Sequence, residues 1–159
     1  MSKQVSLIDS ETIKFYRAND KNYGFLSNLY KKPITFEGRE FPNSEYAYQF
    51  GKYSDKATRE WAMSCPKSHL LAIISHNLLS WDIVKGWSKI RFNRMYEVLK
   101  EKFSAAELKK KLIDTKDAIL IEDSKTDNIW GIGKSGTGKN MLGKLLMKIR
   151  EELKDAKKN

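Results

Sequence analysis

The stretch WGIGKSGTGKN, Trp130 to Asn140, decides how this chain is to be read. From Gly133 it runs G-x-x-x-x-G-K, the opening of a nucleotide-phosphate loop, and such a loop would imply an alternating β-α sheet. Three features argue against it. Asn140 stands where a Ser or Thr hydroxyl would ligate Mg²⁺, only one clear strand precedes the stretch, and too little chain follows for a second, acid-bearing strand. Two readings stay open. One is a different phosphate cradle, in which glycines crowd backbone N–H groups around an anion and Lys134 and Lys139 add charge. The other is a plain glycine-rich turn. Either leads into NMLGKLLMKIREELKD, where Leu142, Leu145, Leu146, Ile149 and Leu153 form an apolar stripe and Asn140 is the expected N-cap.

Working outward, AILIE (118–122) reads as a short buried strand. Residues 81–103 repeat apolar positions at helical spacing, and Ser104 to Glu107 reads as a capping box for a further helix. The segments 55–64 and 67–80 also look helical, parted by Pro66. Earlier, TIKFYR (12–17) and PITFEGREF (33–41) alternate like short strands, the second with Glu37-Gly38 as a hairpin turn. Ser44 is a plausible N-cap for the helix after Pro42. The expectation is α+β: a mostly helical single domain over 1–159 with a small early antiparallel sheet, and a basic tail from about 154 that could be left disordered.

With 40% hydrophobic residues, 4 Trp, 7 Tyr and 7 Phe, the chain can build a core. Lys plus Arg outnumber Asp plus Glu 30 to 20, so the net charge of +10 favours an anionic partner, nucleic acid or a phosphorylated small molecule. Many of these lysines need only solvate helix faces. The lone Cys65 excludes an internal disulfide and a cysteine-cluster metal site. The first twelve residues lack an apolar signal core and no stretch is long enough to span a membrane, which points to a cytoplasmic protein without membrane contact. His69 and His76 have no third ligand at suitable spacing, so they read as structural and no metal is called for.

Two further stretches carry candidate chemistry. In SEYAYQFGK (44–52), Glu45, Gln49 and Lys52 lie at i, i+4 and i+7 and share one helical face, with Tyr46, Phe50 and Tyr53 turned elsewhere. That face is either solvated or the polar wall of a cleft, where a carboxylate could move a proton and a desolvated lysine could attack. In DNIWG (127–131), Asp127 and Trp130 make either an Asx turn and a core tryptophan, or a polar anchor and a stacking ring.

In order along nearly the whole chain, these stretches resemble the NADAR (YbiA-like) family. The resemblance is carried by FYRANDKNYGFLSN, with Phe25-Leu26-Ser27-Asn28, by ITFEGREFPNSEYAYQFGK, by Trp81-Asp82 and by a helix ending in Lys102-Phe103. It is completed by LIEDSKTDNIWGIGKSGTGKNMLGKLLMKIR, similar to the family's L-x-E…D-x-x-W-G-x-G…G-x-N-x-L-G-x-x-L-M-x-x-R. The histidine that often follows the motif glutamate is Tyr46 here, which weakens any catalytic part for an imidazole.

The resemblance implies N-glycoside hydrolysis at a ribose carbon without a cofactor. The implied substrates are ADP-ribosylated guanine, in DNA or as a nucleoside, or phosphorylated ribosylaminopyrimidine intermediates of riboflavin synthesis, with nucleic acid a possible contact. The expected catalytic group is Glu45, Lys52 and Asp127. Glu45 would stabilise oxocarbenium-like charge and move the proton, and Lys52 would form a Schiff base. Asn28 and Asp127 would hold ribose hydroxyls, beside Gln49. Trp130 and Trp81 would line the ribose or base, while Gly131, Gly133, Gly138, Lys139 and Asn140 cradle the phosphate. A non-catalytic ADP-ribose or nucleic-acid binder is the competing reading, and an NTPase the third.

Overall fold

A computed structural model describes residues 11–77 and 80–159. The N-terminal stretch judged to lack a signal core therefore lies mostly outside the described residues, as do positions 78 and 79 of the helix expected over 67–80. The chain runs β1 (Thr12–Phe15), β2 (Ile34–Phe36), β3 (Arg39–Phe41), α1 (Ser44–Phe50), α2 (Lys56–Met63) and α3 (Ser68–Asn77). It continues through α4 (Trp87–Lys102), α5 (Ala106–Ile113), β4 (Ile119–Glu122) and α6 (Met141–Lys158). The architecture is α+β. No helix among the described residues is long and apolar enough to cross a membrane.

β2 and β3 form the expected antiparallel hairpin, with Ile34 opposite Phe41. Glu37 and Gly38 both take left-handed backbone (φ 51° and 77°), the turn geometry whose twist matches a two-residue hairpin. β1 is not part of that sheet. It pairs in parallel with β4, Thr12 opposite Ile119 and Phe15 opposite Glu122, so the early strand finds its partner late in the chain.

Two cores flank α1 and α4. One gathers Ile13, Phe15, Met95, Leu99, Phe103, Leu120, Leu142, Leu146 and Ile149. The other gathers Ile34, Phe41, Tyr46, Ala47, Tyr53, Ala62, Leu71 and Val98. Adjacent residues Val98 and Leu99 of α4 thus bury into different cores, so this helix partitions the interior. α6 lays its stripe against β4, and its Arg150 Nη1 donates to Thr115 Oγ1 and the Ala118 carbonyl, both at 2.9 Å. The basic tail from 154 continues this helix to Lys158.

The helix ends depart from expectation in instructive ways. Asn43, not Ser44, caps α1, its Oδ1 accepting from the Tyr46 amide at 3.2 Å. Ser44 is drawn inward instead, its Oγ donating to both oxygens of Asn28 at 3.1 Å. The helical stretch expected from Trp81 begins only at Trp87, behind Gly86 in left-handed backbone (φ 79°). At α5 the capping box does not form: Ser104 Oγ donates backward to the Glu101 carbonyl at 2.6 Å, and Ala105 occupies the cap without a side-chain bond. Asn140 does occupy the α6 N-cap, but its side chain makes no cap bond.

Candidate active site

A cleft of about 970 Å³ opens where α1, α3 and α4 meet the loop between β4 and α6. Its walls hold Glu45, Gln49 and Lys52 from the α1 segment, Arg91 from α4, and Glu122 and Asp127 from β4 and the loop after it. The polar stripe read from the sequence is therefore a cleft wall. The apolar residues Tyr46 and Tyr53 point away into the core, as the helical spacing requires.

α1 is held firmly at both ends. The Glu45 amide donates to the Asn28 carbonyl at 3.2 Å, and Arg94 donates from Nη2 to the Ala47 carbonyl at 2.6 Å and from Nε to the Tyr48 carbonyl at 3.1 Å. A guanidinium on the last carbonyls does the work of a C-cap. Within the helix, Gln49 Nε2 donates to Glu45 Oε1 at 2.8 Å, aiming the carboxylate, while Gln49 Oε1 is buried with no partner among the described residues. Burial raises the Glu45 carboxyl above the ordinary value, opposed by the Gln49 hydrogen bond and by Lys52.

Lys52 lies just past the C-terminus of α1, and Asp82 explains how it is fixed. Asp82 Oδ1 accepts from Ser54 Oγ at 2.6 Å and Oδ2 accepts from the Asp55 amide at 3.1 Å, while the Val84 amide donates to the Lys52 carbonyl at 2.8 Å. The ammonium end donates to the Ser75 carbonyl at 2.6 Å. Burial lowers the Lys52 amine from its ordinary value, Arg91 adds to that, and Glu45 opposes it. A lysine so placed is easier to deprotonate, which is what attack on carbon requires.

Opposite, Asp127 makes the Asx turn: Oδ1 accepts from the Ile129 and Trp130 amides at 2.9 and 2.8 Å, with the carboxylate still facing the cleft. Trp130 is both wall and packing, its ring edge-on to Tyr48 at 5.5 Å and tilted on Phe92 at 5.4 Å. Asn28 lines the cleft, but its side chain is already engaged, Nδ2 with Met95 Sδ at 3.3 Å and Oδ1 with Ser44. Its evident work is to seat the start of α1.

The remaining expected residues lie elsewhere. Trp81 is 74% exposed and off the cleft wall, and the second tryptophan there is Trp87, packed on Tyr48 at 5.2 Å. Gly131, Gly133, Gly138, Lys139 and Asn140 do not line the cleft either. Their loop folds back on itself: the amides of Gly138, Lys139 and Asn140 donate to the carbonyls of Ile132, Asn128 and Gly131 at 2.7, 2.8 and 3.1 Å. These three amides are turned to carbonyls and are not available to an anion. Gly138 is required by crowding, since a Cβ there would stand 2.6 Å from the Gly131 carbonyl oxygen.

Glu122 and Arg91 were not singled out from the sequence. Glu122 sits at the end of a strand that reads as buried, and the signals that mark it are its charged type in an apolar run and its place as the glutamate of the L-x-E pattern. Burial pushes its carboxyl up to about 8, reinforced by Asp127 and Glu45. Although three carboxylates share the cleft, no three His, Cys, Asp or Glu side chains among the described residues are grouped to hold a metal ion.

The NADAR domain model matches residues 14–154. The chain is 37% identical over 142 residues to the N-glycosidase YbiA of Shigella flexneri serotype 5b (strain 8401), covering 89% of this chain and 88% of that one. It is 36% identical over 151 residues to a riboflavin biosynthesis protein of Vibrio vulnificus (strain YJ016), 94% of this chain but 41% of that one. The NMR structure of the E. coli protein YbiA superposes with a TM-score of 0.83 at 34% identity, over 97% of this chain and 92% of its own. The chain belongs to the NADAR family, and with it to the hydrolases that act on N-glycosyl compounds.

Proposed function

We propose that the chain cleaves the ribose–base bond of a phosphorylated N-riboside, either ADP-ribosylated guanine or a phosphorylated ribosylaminopyrimidine. The observation that carries this reading is the Glu45–Lys52 wall: a hydrogen-bonded carboxylate and a partly desolvated amine on one face, across a cleft from Asp127 and the ring of Trp130. A planar base lies against Trp130 and Trp87. Positive charge that develops at the anomeric carbon is stabilised by Glu45. Lys52 Nζ bonds to that carbon as the C–N bond breaks and its electron pair leaves with the base. Opening of the ribose ring turns the adduct into an imine, and water hydrolyses it to free the sugar aldehyde and the amine.

We place the phosphate arm next door, clear of the Glu45 and Asp127 carboxyls that face the reacting carbon. A second chamber of about 690 Å³ shares Tyr16, Leu29 and His69 with the cleft and is rimmed by Arg17, Lys31 and Lys67. No carboxylate among the described residues lines it. A basic chamber beside a cleft that carries carboxyls orients a substrate whose reacting carbon develops positive charge while its tail is an anion.

The test is to incubate the protein with ADP-ribosylated guanosine and with the pyrimidine riboside phosphate, side by side, and measure released base. Glu45→Gln and Lys52→Ala should keep the fold and lose release, and borohydride should trap a sugar adduct in wild type but not in Lys52→Ala. Full activity in both variants would overturn the reading. Binding of ADP-ribose without turnover would favour the non-catalytic alternative.

A further inference from the structure

The proposed reaction leaves one buried group of the cleft without a role. Glu122 closes β4 with its backbone pinned on both sides: its amide donates to Asn140 Oδ1 at 2.9 Å, and its carbonyl accepts from the Ile132 amide at 3.1 Å. The side chain that leaves this fixed point lines the cleft, and its Oε2 is enclosed with no hydrogen-bond partner among the described residues. An enclosed carboxylate oxygen with no donor is costly, and the cost disappears when the group holds a proton.

Its neighbours push the same way. Asp127 from the loop and Glu45 from α1 both disfavour a third negative charge, and these two carboxyls together with burial place Glu122 at about 8. Of the cations in the cleft, Lys52 acts on Glu45 and Arg91 acts on Lys52, and neither offsets the charge of Glu122. Glu45 has what Glu122 lacks, a hydrogen-bond donor and a nearby amine. Two carboxyls of one cleft thus stand in different surroundings: Glu45 has a donor and an amine beside it, whereas Glu122 has neither, which leaves Glu122 as the one placed to give up a proton.

We infer that Glu122 is the general acid of this site, giving its proton to the departing base. As the anomeric C–N bond breaks, the bond pair stays on the base nitrogen and the Glu122 proton passes to the base, which leaves neutral. The carboxylate regains a proton when water adds to the imine. This role rests on the N-riboside hydrolysis proposed above.

Glu122→Gln, which keeps the shape and loses the proton, tests it with two leaving groups. On the natural base, release should fall at least ~100-fold, the usual worth of a positioned acid. On a ribosylpyridinium phosphate, whose cationic leaving group departs as a neutral base without taking a proton, the loss should stay within about threefold. Equal losses on both would overturn the role and mark Glu122 as structural, and so would a full rate on the natural base. Should the variant not fold, wild type alone suffices: kcat on the natural base must fall above pH ~8, and kcat on the pyridinium substrate must not. An alkaline limb shared by both substrates would sink the assignment. Wild type inert toward both substrates would instead refute the hydrolysis itself.

Discussion

Asn140 reaches back from the head of α6 to bridge β4 as a missing strand would, its Oδ1 accepting from the Glu122 amide and its Nδ2 donating to the Leu120 carbonyl, each at 2.9 Å. The residue that spoils the nucleotide-loop pattern is therefore the clasp between the last helix and the parallel strand pair. Asn140→Ala removes both bonds and leaves alanine in left-handed backbone (φ 51°). We expect a loss of about 2–3 kcal/mol, read as a lower Tm, with a fall in kcat as Glu122 loosens. A variant within about 0.5 kcal/mol of wild type, the range of ordinary surface changes, would show that the clasp is ornamental.

Gly143, one turn into α6, reverses a common rule. Glycine to alanine within a helix ordinarily stabilises by up to about 1 kcal/mol. Here the added Cβ would run into the Leu120 carbonyl oxygen and the Asn140 side chain. Gly143→Ala should lower stability by roughly 1–3 kcal/mol, and a urea midpoint at or above the wild-type value would refute the close packing of α6 on β4.

Lys102 gives the fold a dependence on pH. Its amine is enclosed in the interior, donates to the Ser27 carbonyl at 2.8 Å, and is lowered by burial to about 7 from an ordinary 10.5. Between those values the unfolded chain binds a proton that the folded chain does not, so stability rises with pH, complete above the unfolded value and lost as pH falls toward 7. The slope from this one group is at most about 1.4 kcal/mol per pH unit. Lys102→Met should flatten it, measured as urea-unfolding free energies at pH 7, 8 and 9. Parallel profiles for the two proteins would count against a neutral amine in the core.

The basic chamber predicts a split in kinetics. Arg17→Ala, Lys31→Ala and Lys67→Ala combined should raise KM roughly tenfold or more for the phosphorylated substrate, each cation offering a charge-assisted bond. The dephosphorylated counterpart should be unaffected, and added salt should narrow the difference. If both substrates suffer alike, the anionic arm is bound elsewhere.

Much of the site could be read before the fold, because it is local. Glu45, Gln49 and Lys52 share a face by helical spacing alone, and Asp127 and Trp130 are three residues apart in one turn. What could not be read is what depends on distant pairing. β1 alternates like any short strand, and nothing in TIKF names AILIE as a parallel partner. Glu122 becomes a cleft residue only through that pairing. Trp81 and Trp87 look equivalent as a helical repeat, until the left-handed Gly86 starts the helix late and turns only Trp87 inward. The glycine loop is hard to read for a related reason: composition shows that backbone amides can crowd together, whereas only the fold shows that those of Gly138, Lys139 and Asn140 are met by carbonyls.

The parallel pairing of β1 with β4 also sets when the enzyme comes into being. On the ribosome, the α1 wall with Glu45 and Lys52 is made early, while Glu122, Asp127, Trp130 and the helix that clamps them are made last. Until β4 pairs with β1, the cleft has one wall without the other. The two walls are therefore brought face to face by a contact between the first strand of the chain and the last.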